Sequence, residues 1–525
     1  MSHKGTTDYI EGDDAFTAHT HGIAAPKMTV GEYIKTRFTT LKPAMKPVRN
    51  PIAVMRLLNK EQWLFFIAGF LAWMWDALDF FTVSLTIAPL SATFERPAAD
   101  ITWGITCSLM TRSVGAIIFG VVADRYGRKP PYVICCTLFI ILELATGFCN
   151  TYGQFIAVRT LYGVAMGGMY GTAAITALDD CPPEARGIMA GIYQQAYSVG
   201  YLLATVFARG LVDTTPHSWR PLYWFAACPP ILLIAFRLWL PETQAYKRRL
   251  AVREEAGGAG DTYLKEGKVA IKRHWLLFGY LVLLLTGMNF SSHGSSDLYP
   301  TFTGTQLGFS KNAVTVTQVV ANLGAVTGGI FFGHVSSIIG RRLSLIITCI
   351  IAGAFLYPYC FMRTKPIIAV AFFELFGVQG GWGIIPSHMI ELSPPGLATF
   401  FVGTSYQLGN LISSASTTIE ATAAEQFPLP PRGTTKRYDY GLVIAILMGA
   451  VLGYIVLLTF IGPERLGQST DIEDDTDMDE VAGHDLIART LHRDQQHNDH
   501  HARRSPDEIS EEGRSSGEQR VAEKV

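Results

Sequence analysis

Apolar runs long enough to cross a bilayer recur along this chain from about residue 63 to residue 461. A membrane helix needs roughly 20 mostly apolar residues. Spans are expected at 63–89, 101–123, 131–150, 153–178, 187–211, 220–240, 275–299, 313–338, 342–362, 366–390, 397–422 and 440–461. Hydrocarbon cannot satisfy open backbone groups, so runs of this length read as helices. Only 17% of the 525 residues are charged and 49% are hydrophobic, against about 25% charged in soluble domains. A conventional soluble enzyme, a nucleic-acid binder and a disordered scaffold are excluded. The expected fold is all-α and polytopic, with twelve transmembrane helices in two pseudo-symmetric six-helix halves.

The expected organisation is a basic tail over 1–62, a six-helix half over 63–240, a central loop over 241–274, a second half over 275–461 and an acidic disordered tail over 462–525. Residues 1–62 lack an apolar run near Met1, so no cleavable signal is expected. Eight basic residues in 27–60 face only Glu32, which suits an anionic leaflet or simply fixes topology. Residues 462–525 carry 8 Lys/Arg and 17 Asp/Glu. Basic loop residues number 23 on one side and nine on the other, so both termini are expected in the cytosol. The eight cysteines sit mostly in or beside apolar runs and read as small fillers.

The halves echo one another. Gly120-Val-Val-Ala-Asp124-Arg125-Tyr126-Gly127-Arg128-Lys129 follows the second span, and Gly333-His-Val-Ser-Ser337-Ile-Ile-Gly340-Arg341-Arg342 follows the eighth. Pro241-Glu242 closes the sixth span and Pro463-Glu464 the twelfth. Such repeats are the mark of a transporter fold.

Ionisable groups at membrane depth are functional candidates. Asp76 and Asp79 lie three apart, on one helix face about 20–24 Å from the start of the first span. They read as a proton- or substrate-linked site or as an interhelical clamp. In the fourth span Arg159 precedes Gly163 and Gly167, glycines spaced for close helix approach. Its planar fork suits a carboxylate, and the alternative is a pair with an acid such as Glu143. In the seventh span Asn289, His293, Asp297 and Thr301 recur every four residues and follow one stripe. Asp297 would favour a protonated His293. Gly294 and Pro300 weaken the helix there. Gln407 and Asn410, about 15–20 Å into the eleventh span, read as amide donors for a carboxylate or hydroxyl, or as helix glue. Glu374, Glu391 and Glu420 have no assigned role beyond interhelical pairing.

The 120–129 segment resembles the loop signature of the major facilitator superfamily. That resemblance implies that Asp124, Arg125, Gly127 and Arg128 tie helix ends together across the cytoplasmic face and help to gate it. The fourth-span Arg–Gly pattern resembles that superfamily too. Asn289, Ser292, His293, Ser295, Asp297 and Thr301 resemble the signature of the fungal carboxylate:proton symporters, the lactate-permease (Jen-type) family, with Ser296 where that family carries Gln. Trp75-Asp76-Ala77-Leu78-Asp79-Phe80-Phe81 and Tyr406-Gln407-Leu408-Gly409-Asn410 are similar to it as well, over about residues 55–465. The resemblance implies proton-coupled uptake of lactate, pyruvate and related monocarboxylates across the plasma membrane, or of dicarboxylates such as malate and succinate. Substrate binding is then expected from Arg159, Asn289, Gln407 and Asn410, and proton coupling from His293, Asp297, Asp76 and Asp79. A sialate, sugar or phosphate carrier and a non-transporting nutrient receptor are the competing readings. No metal motif, nucleophile elbow or phosphate loop is present, so neither enzyme, cofactor nor metal is expected. The expected partners are a small carboxylate, a proton, the lipid bilayer and, on the tails and loop lysines such as Lys265, Lys268 and Lys272, ubiquitin-ligase adaptors; nucleic acid is not among them.

Overall fold

The long apolar runs become helices, some of whose starts carry a local capping signal. The computed structural model describes residues 30–41, 49–96, 98–212, 214–255, 271–394, 397–432 and 435–466. The regions expected as distal tails, 1–29 and 467–525, lie outside these residues, as do 256–270 with Lys265 and Lys268. Short helices α1 (Val30–Thr39) and α2 (Pro51–Met55) precede α3 (Lys60–Leu85). Asn59 opens α3 through a capping box with Gln62, which satisfies two orphan donors at once. The first half continues through α4 (Ile87–Phe94), α5 (Ala98–Tyr126), α6 (Lys129–Gly147), α7 (Tyr152–Leu178), α8 (Pro183–Gln194), α9 (Ala196–Leu211), α10 (Arg220–Ala226) and α11 (Pro229–Trp239). Thr151 and Gln154 form a second capping box at α7. Helix α12 (Gln244–Glu255) follows.

The second half comprises α13 (Trp275–Ser296), α14 (Tyr299–Thr301), a π-helical turn over Phe302–Gln306, α15 (Lys311–Ile339), α16 (Arg341–Phe361), α17 (Ile367–Leu392), α18 (Ala398–Ser413), α19 (Ser416–Ala424) and α20 (Tyr440–Ile461). A hairpin of β1 (Pro428–Arg432) and β2 (Thr435–Tyr438) joins α19 to α20.

Ten stretches among the described residues are long and apolar enough to span a bilayer. They match ten of the twelve expected spans. The fifth and eleventh are instead each broken into two helices, whereas α10 and α11 of the sixth, parted at Ala227–Cys228, still form one apolar stretch. Helix α8 ends and α9 begins around Gln195. At the other break, the hydroxyls of Ser413 and Ser414 bond the carbonyls of Asn410 and Leu411, three residues back, in competition with the helical amides. The seventh span is longer than expected. It bends at Asp297–Leu298 and resumes through α14 and the π turn to Gln306.

Glycines bring the helices close, as their four-residue spacing on α7 predicts. Gly163 lies against the Ser108 backbone and Gly167 against the Arg112 carbonyl of α5. The halves touch through α5 with α18, α7 with α18, and α8 with α15 and α17. One basic residue of the N-terminal region makes a protein contact rather than a lipid one. Arg37 is buried and donates to the Gly462 carbonyl at 3.3 Å, while Phe38 packs edge-on against Phe460. All eight cysteines are free.

Candidate functional site

Polar groups gather at mid-depth on both sides of the half–half interface. On the first half, Asp76 and Asp79 project from α3 and are fully buried. The Asp76 carboxylate faces the Arg112 guanidinium of α5 at 3.6 Å, too far for a hydrogen bond. The Tyr162 hydroxyl donates to Asp79 at 2.6 Å. Arg159 donates to Glu143 at 2.8 Å and lies over the Tyr162 ring at 4.2 Å. Of the two partners considered for Arg159, an anion or Glu143, the structure holds the acid. Breaking a buried pair of this kind by removing one partner costs about 3–5 kcal/mol. The three carboxyls Asp76, Asp79 and Glu143 share two guanidiniums, so one carboxyl lacks a cation.

Arg112 was not singled out from the sequence, although it meets the same criterion as Arg159: a guanidinium inside an apolar span. It is 2% exposed. Its Nε has no hydrogen-bond partner, one Nη rests against the Met166 sulfur at 3.1 Å, and its charge lies over the Phe80 ring at 4.9 Å. A buried guanidinium carries five donors in a fork, and here most of that capacity is unused.

On the second half, the expected stripe of α13 meets α18. His293 Nδ1 lies 3.0 Å from Asp297, and Nε2 lies 3.4 Å from the Asn410 side-chain oxygen. Asn410 in turn donates to the Gln407 side-chain oxygen at 3.5 Å. The Thr417 hydroxyl of α19 donates to Asp297 at 2.7 Å. The His293 and Asp297 side chains are 22% and 36% exposed, so the pair faces open space rather than packed protein. Gln379 of α17 donates to Ser292 at 3.1 Å. Asn289 is set apart: its amide returns to the Leu285 carbonyl of its own helix at 2.9 Å. Ser296 bonds back to the Ser292 carbonyl. Gln407 is fully buried and its Nε2 has no partner.

The two clusters adjoin. Ser113, next to Arg112, donates to the Gln407 carbonyl at 3.1 Å. Tyr197 lies within electrostatic reach of Arg112, Asp76, Asp297 and Tyr406. Beneath them is an aromatic floor. Tyr170 stacks on Tyr406 at 3.9 Å, Trp73 packs against Tyr170 and Tyr197 at 4.8 and 5.6 Å, and Trp382 meets Tyr406 edge-on at 5.7 Å. Aromatic pairs in these geometries hold a surface together beyond simple area burial.

The loop signature lies at the far end of α5. Asp124 is buried and accepts the backbone N–H groups of Thr399 and Phe400 at 3.1 and 2.8 Å. These are first-turn amides of α18, whose own N-cap Leu397 offers no side-chain acceptor. The carboxylate therefore caps a helix of the opposite half. Arg128 sits 3.6 Å from both Asp124 and Asp179. Gly127 takes φ +98°, and a Cβ there would meet Glu242 Oε1 at 2.7 Å. Arg125 is half-buried, with its guanidinium 5.0 Å from the Tyr126 ring. Among the described residues, no group of three or more His, Cys, Asp or Glu is arranged to hold a metal.

Residues 51–471 match the family model described as sugar (and other) transporter. The chain is 41% identical over 458 residues to the Carboxylic acid transporter protein homolog of Saccharomyces cerevisiae, covering 83% of this chain and 74% of that protein. It is 24% identical over 349 residues to the cis,cis-muconate transport protein of Acinetobacter baylyi, covering 66% and 84%. Among solved structures, the proton:xylose symporter XylE bound to 6-bromo-6-deoxy-D-glucose superposes with a TM-score of 0.63 at 16% identity, over 78% of this chain and 97% of that one. The chain belongs to the sugar (and other) transporter family of the major facilitator superfamily. It is a multi-pass membrane transporter and not an enzyme.

Proposed function

We propose that this transporter carries short-chain monocarboxylates such as lactate and pyruvate together with a proton across the plasma membrane, by alternating access, with both termini in the cytosol. The observation that carries the reading is Arg112: a buried guanidinium with unused donors, next to Ser113, which bonds the Gln407 carbonyl of the opposite half. The relative that is a carboxylic acid transporter homolog supports it. Arg112 grips the carboxylate common to all substrates. Arg159, engaged by Glu143, braces the Asp79–Tyr162 side of the site instead of gripping substrate. Gln407 and Asn410 read the remainder of the acid, Asn289 shapes the α13 wall, and His293–Asp297, with Asp76 and Asp79, serves the proton. Symport of a monoanion with one proton moves no net charge, so uptake follows the pH gradient rather than the voltage. Ubiquitin-ligase adaptors acting on the tails would set abundance and leave affinity unchanged.

The test is competition by lactate and by succinate against labelled pyruvate. Arg112→Ala removes uptake generally. Gln407→Ala costs about 1–3 kcal/mol for the acid that uses its donor, roughly 5- to 150-fold, and so changes the ratio of the two inhibition constants. An unchanged ratio makes Gln407 helix glue. Full uptake in Arg112→Ala removes the assigned anion site.

A further inference from the structure

Among the described residues, Glu374 on α17 and Glu420 on α19 of the second half are fully buried carboxyls, and neither oxygen of either one has a hydrogen-bond partner. Glu391, the third acid of this group, is held by Arg341 at 2.9 Å. No arginine or lysine is paired with Glu420 among the described residues; the basic group within its electrostatic reach is His293. A bare carboxylate in such surroundings is prohibitively costly, and the group holds a proton instead.

Position separates Glu420 from Glu374. Glu420 lies three residues after Thr417 on α19, on the same helix face, and Thr417 bonds Asp297. Its Oε1 would be 3.0 Å from a Cβ placed on Gly294, the residue beside His293. The titratable groups around it are His293 and Asp297 on α13, Tyr359 and Cys360 on α16 and, through those two, Glu374 on α17. From helix α20, Met448 and Leu447 lie nearest to Gly294. Glu374 lies within electrostatic reach of Tyr359, whose ring is stacked on Tyr299 at 3.9 Å, and no contact of Glu374 with the His293–Asp297 pair is seen among the described residues.

We propose that Glu420 is the group that carries the coupled proton, exchanging it with water through the partly exposed His293–Asp297 pair. The proposal rests on the proton-symport reading above. In loading, an O–H bond of hydronium breaks and an O–H bond forms on the Glu420 carboxylate, leaving water, with the His293–Asp297 pair passing the proton on and ending as it began. In unloading, the Glu420 O–H bond breaks and an O–H bond forms on water of the opposite compartment, giving hydronium and restoring the carboxylate.

The experiment uses the purified full chain in proteoliposomes with labelled lactate. A gradient of about one pH unit supports about tenfold accumulation in a one-proton symport. Wild type should reach it; a wild type that exchanges lactate but ignores the gradient defeats the symport reading itself, and Glu420 with it. With wild type coupled, Glu420→Gln should keep exchange of internal for external lactate while accumulation collapses towards unity, and Glu374→Gln should keep the tenfold ratio. Wild-type accumulation in Glu420→Gln overturns the proposal, as does uncoupling by Glu374→Gln alone. If Glu420→Gln also loses exchange, Glu420→Asp decides. Recovered, gradient-driven uptake supports a titrating carboxyl at this position, and no recovery overturns it.

Discussion

The two copies of the loop signature share a backbone and differ in what they hold. Gly127 and Gly340 both take φ +98°. After each, a distant glutamate caps the next helix. Glu242 accepts the N–H groups of Arg128 and Lys129 at 3.3 and 2.6 Å, and Glu464 accepts those of Arg341 and Arg342 at 3.1 and 2.8 Å. Each arginine also finds an acid at the end of another helix, Asp179 for Arg128 and Glu391 for Arg341. One difference bears on how the halves meet. Asp124 reaches across to the α18 N-terminus of the other half, whereas Ser337 accepts from its own Arg341. Where the second copy lacks the anion, the halves meet by backbone packing: Gly187 abuts Ser337, and Gly191 lies against Gly329 and Gly333. One junction is therefore built on a charged helix cap, and the other on close packing, with Arg186 within electrostatic reach of Glu391. An electrostatic junction can part and re-form at modest cost, while a steric one fixes the distance of approach.

The largest expected effect comes from the steric side. A Cβ on Gly191 would lie 2.5 Å from the Gly329 carbonyl oxygen and 3.2 Å from the Gly333 Cα, both of them backbone atoms that cannot rotate away. Overpacking a close contact costs about 1–3 kcal/mol or more. Gly191→Leu should prevent the halves from meeting here and abolish uptake while the protein still reaches the membrane. Normal uptake would show that the α8–α15 approach is incidental.

The electrostatic junction should be next. Hydrogen bonds to a charged acceptor are worth about 1.5–3 kcal/mol. Asp124→Asn removes the charge from the α18 cap, far from the Arg112 cluster. Turnover should fall while the pyruvate KM stays unchanged. A rise in KM at constant turnover would move Asp124 into the binding site and break the comparison.

How much of this was legible in the sequence depends on the range of each contact. Span positions were legible because about 20 consecutive apolar residues are a local signal. The His293–Asp297 pair was legible because four residues is one helical turn. The breaks at Gln195 and Ser414 were not, since neither Gly nor Pro marks them. The Asp124 cap joins residues 275 and 276 positions apart, and nothing local to Thr399 announces a missing acceptor. Arg112 could have been found by the rule applied to Arg159. What the sequence could not give was which guanidinium keeps its donors free, because that depends on Glu143 lying beside one and Asp76 standing off from the other.

The paired glutamate caps should respond alike to removal and differently to pH. A side-chain cap is worth about 0.5–2 kcal/mol, so Glu242→Gln and Glu464→Gln should each lower the thermal midpoint by a similar small amount in mild acid. Burial pushes the Glu464 carboxyl up from 4.5 to about 7. Its folded form binds protons more tightly than the unfolded chain. That contribution to stability is complete below pH 4.5 and is lost as pH rises through about 7. Wild type should therefore lose stability over this window relative to Glu464→Gln, which has nothing there to titrate. Parallel pH profiles for the two proteins would show that Glu464 is not strained by burial.

The smallest expected effect is from rebuilding the missing anion with Ser337→Asp. The introduced carboxylate would stand four residues before Arg341, as Asp124 stands before Arg128, and could take over the bond that Ser337 now accepts. It would not reproduce the Asp124 junction. The first-turn amides of α18 at Thr399 and Phe400 turn to Asp124, but at α8 the N–H groups of Ala185 and Arg186 already bond the Pro182 carbonyl at 2.9 and 3.0 Å. With those two donors occupied, the bond open to the new charge is the one with Arg341. Arg341 is already satisfied by Glu391 through two bonds of 3.1 and 2.9 Å, so the net gain falls to a few tenths of a kcal/mol, at the low end for ion pairs. Turnover of Ser337→Asp should lie close to wild type, and Asp124→Asn combined with Ser337→Asp should be no faster than Asp124→Asn alone. Recovery of turnover in the double variant would mean that the two junctions are interchangeable and that charge, not the geometry of the receiving helix, decides which half holds the gate.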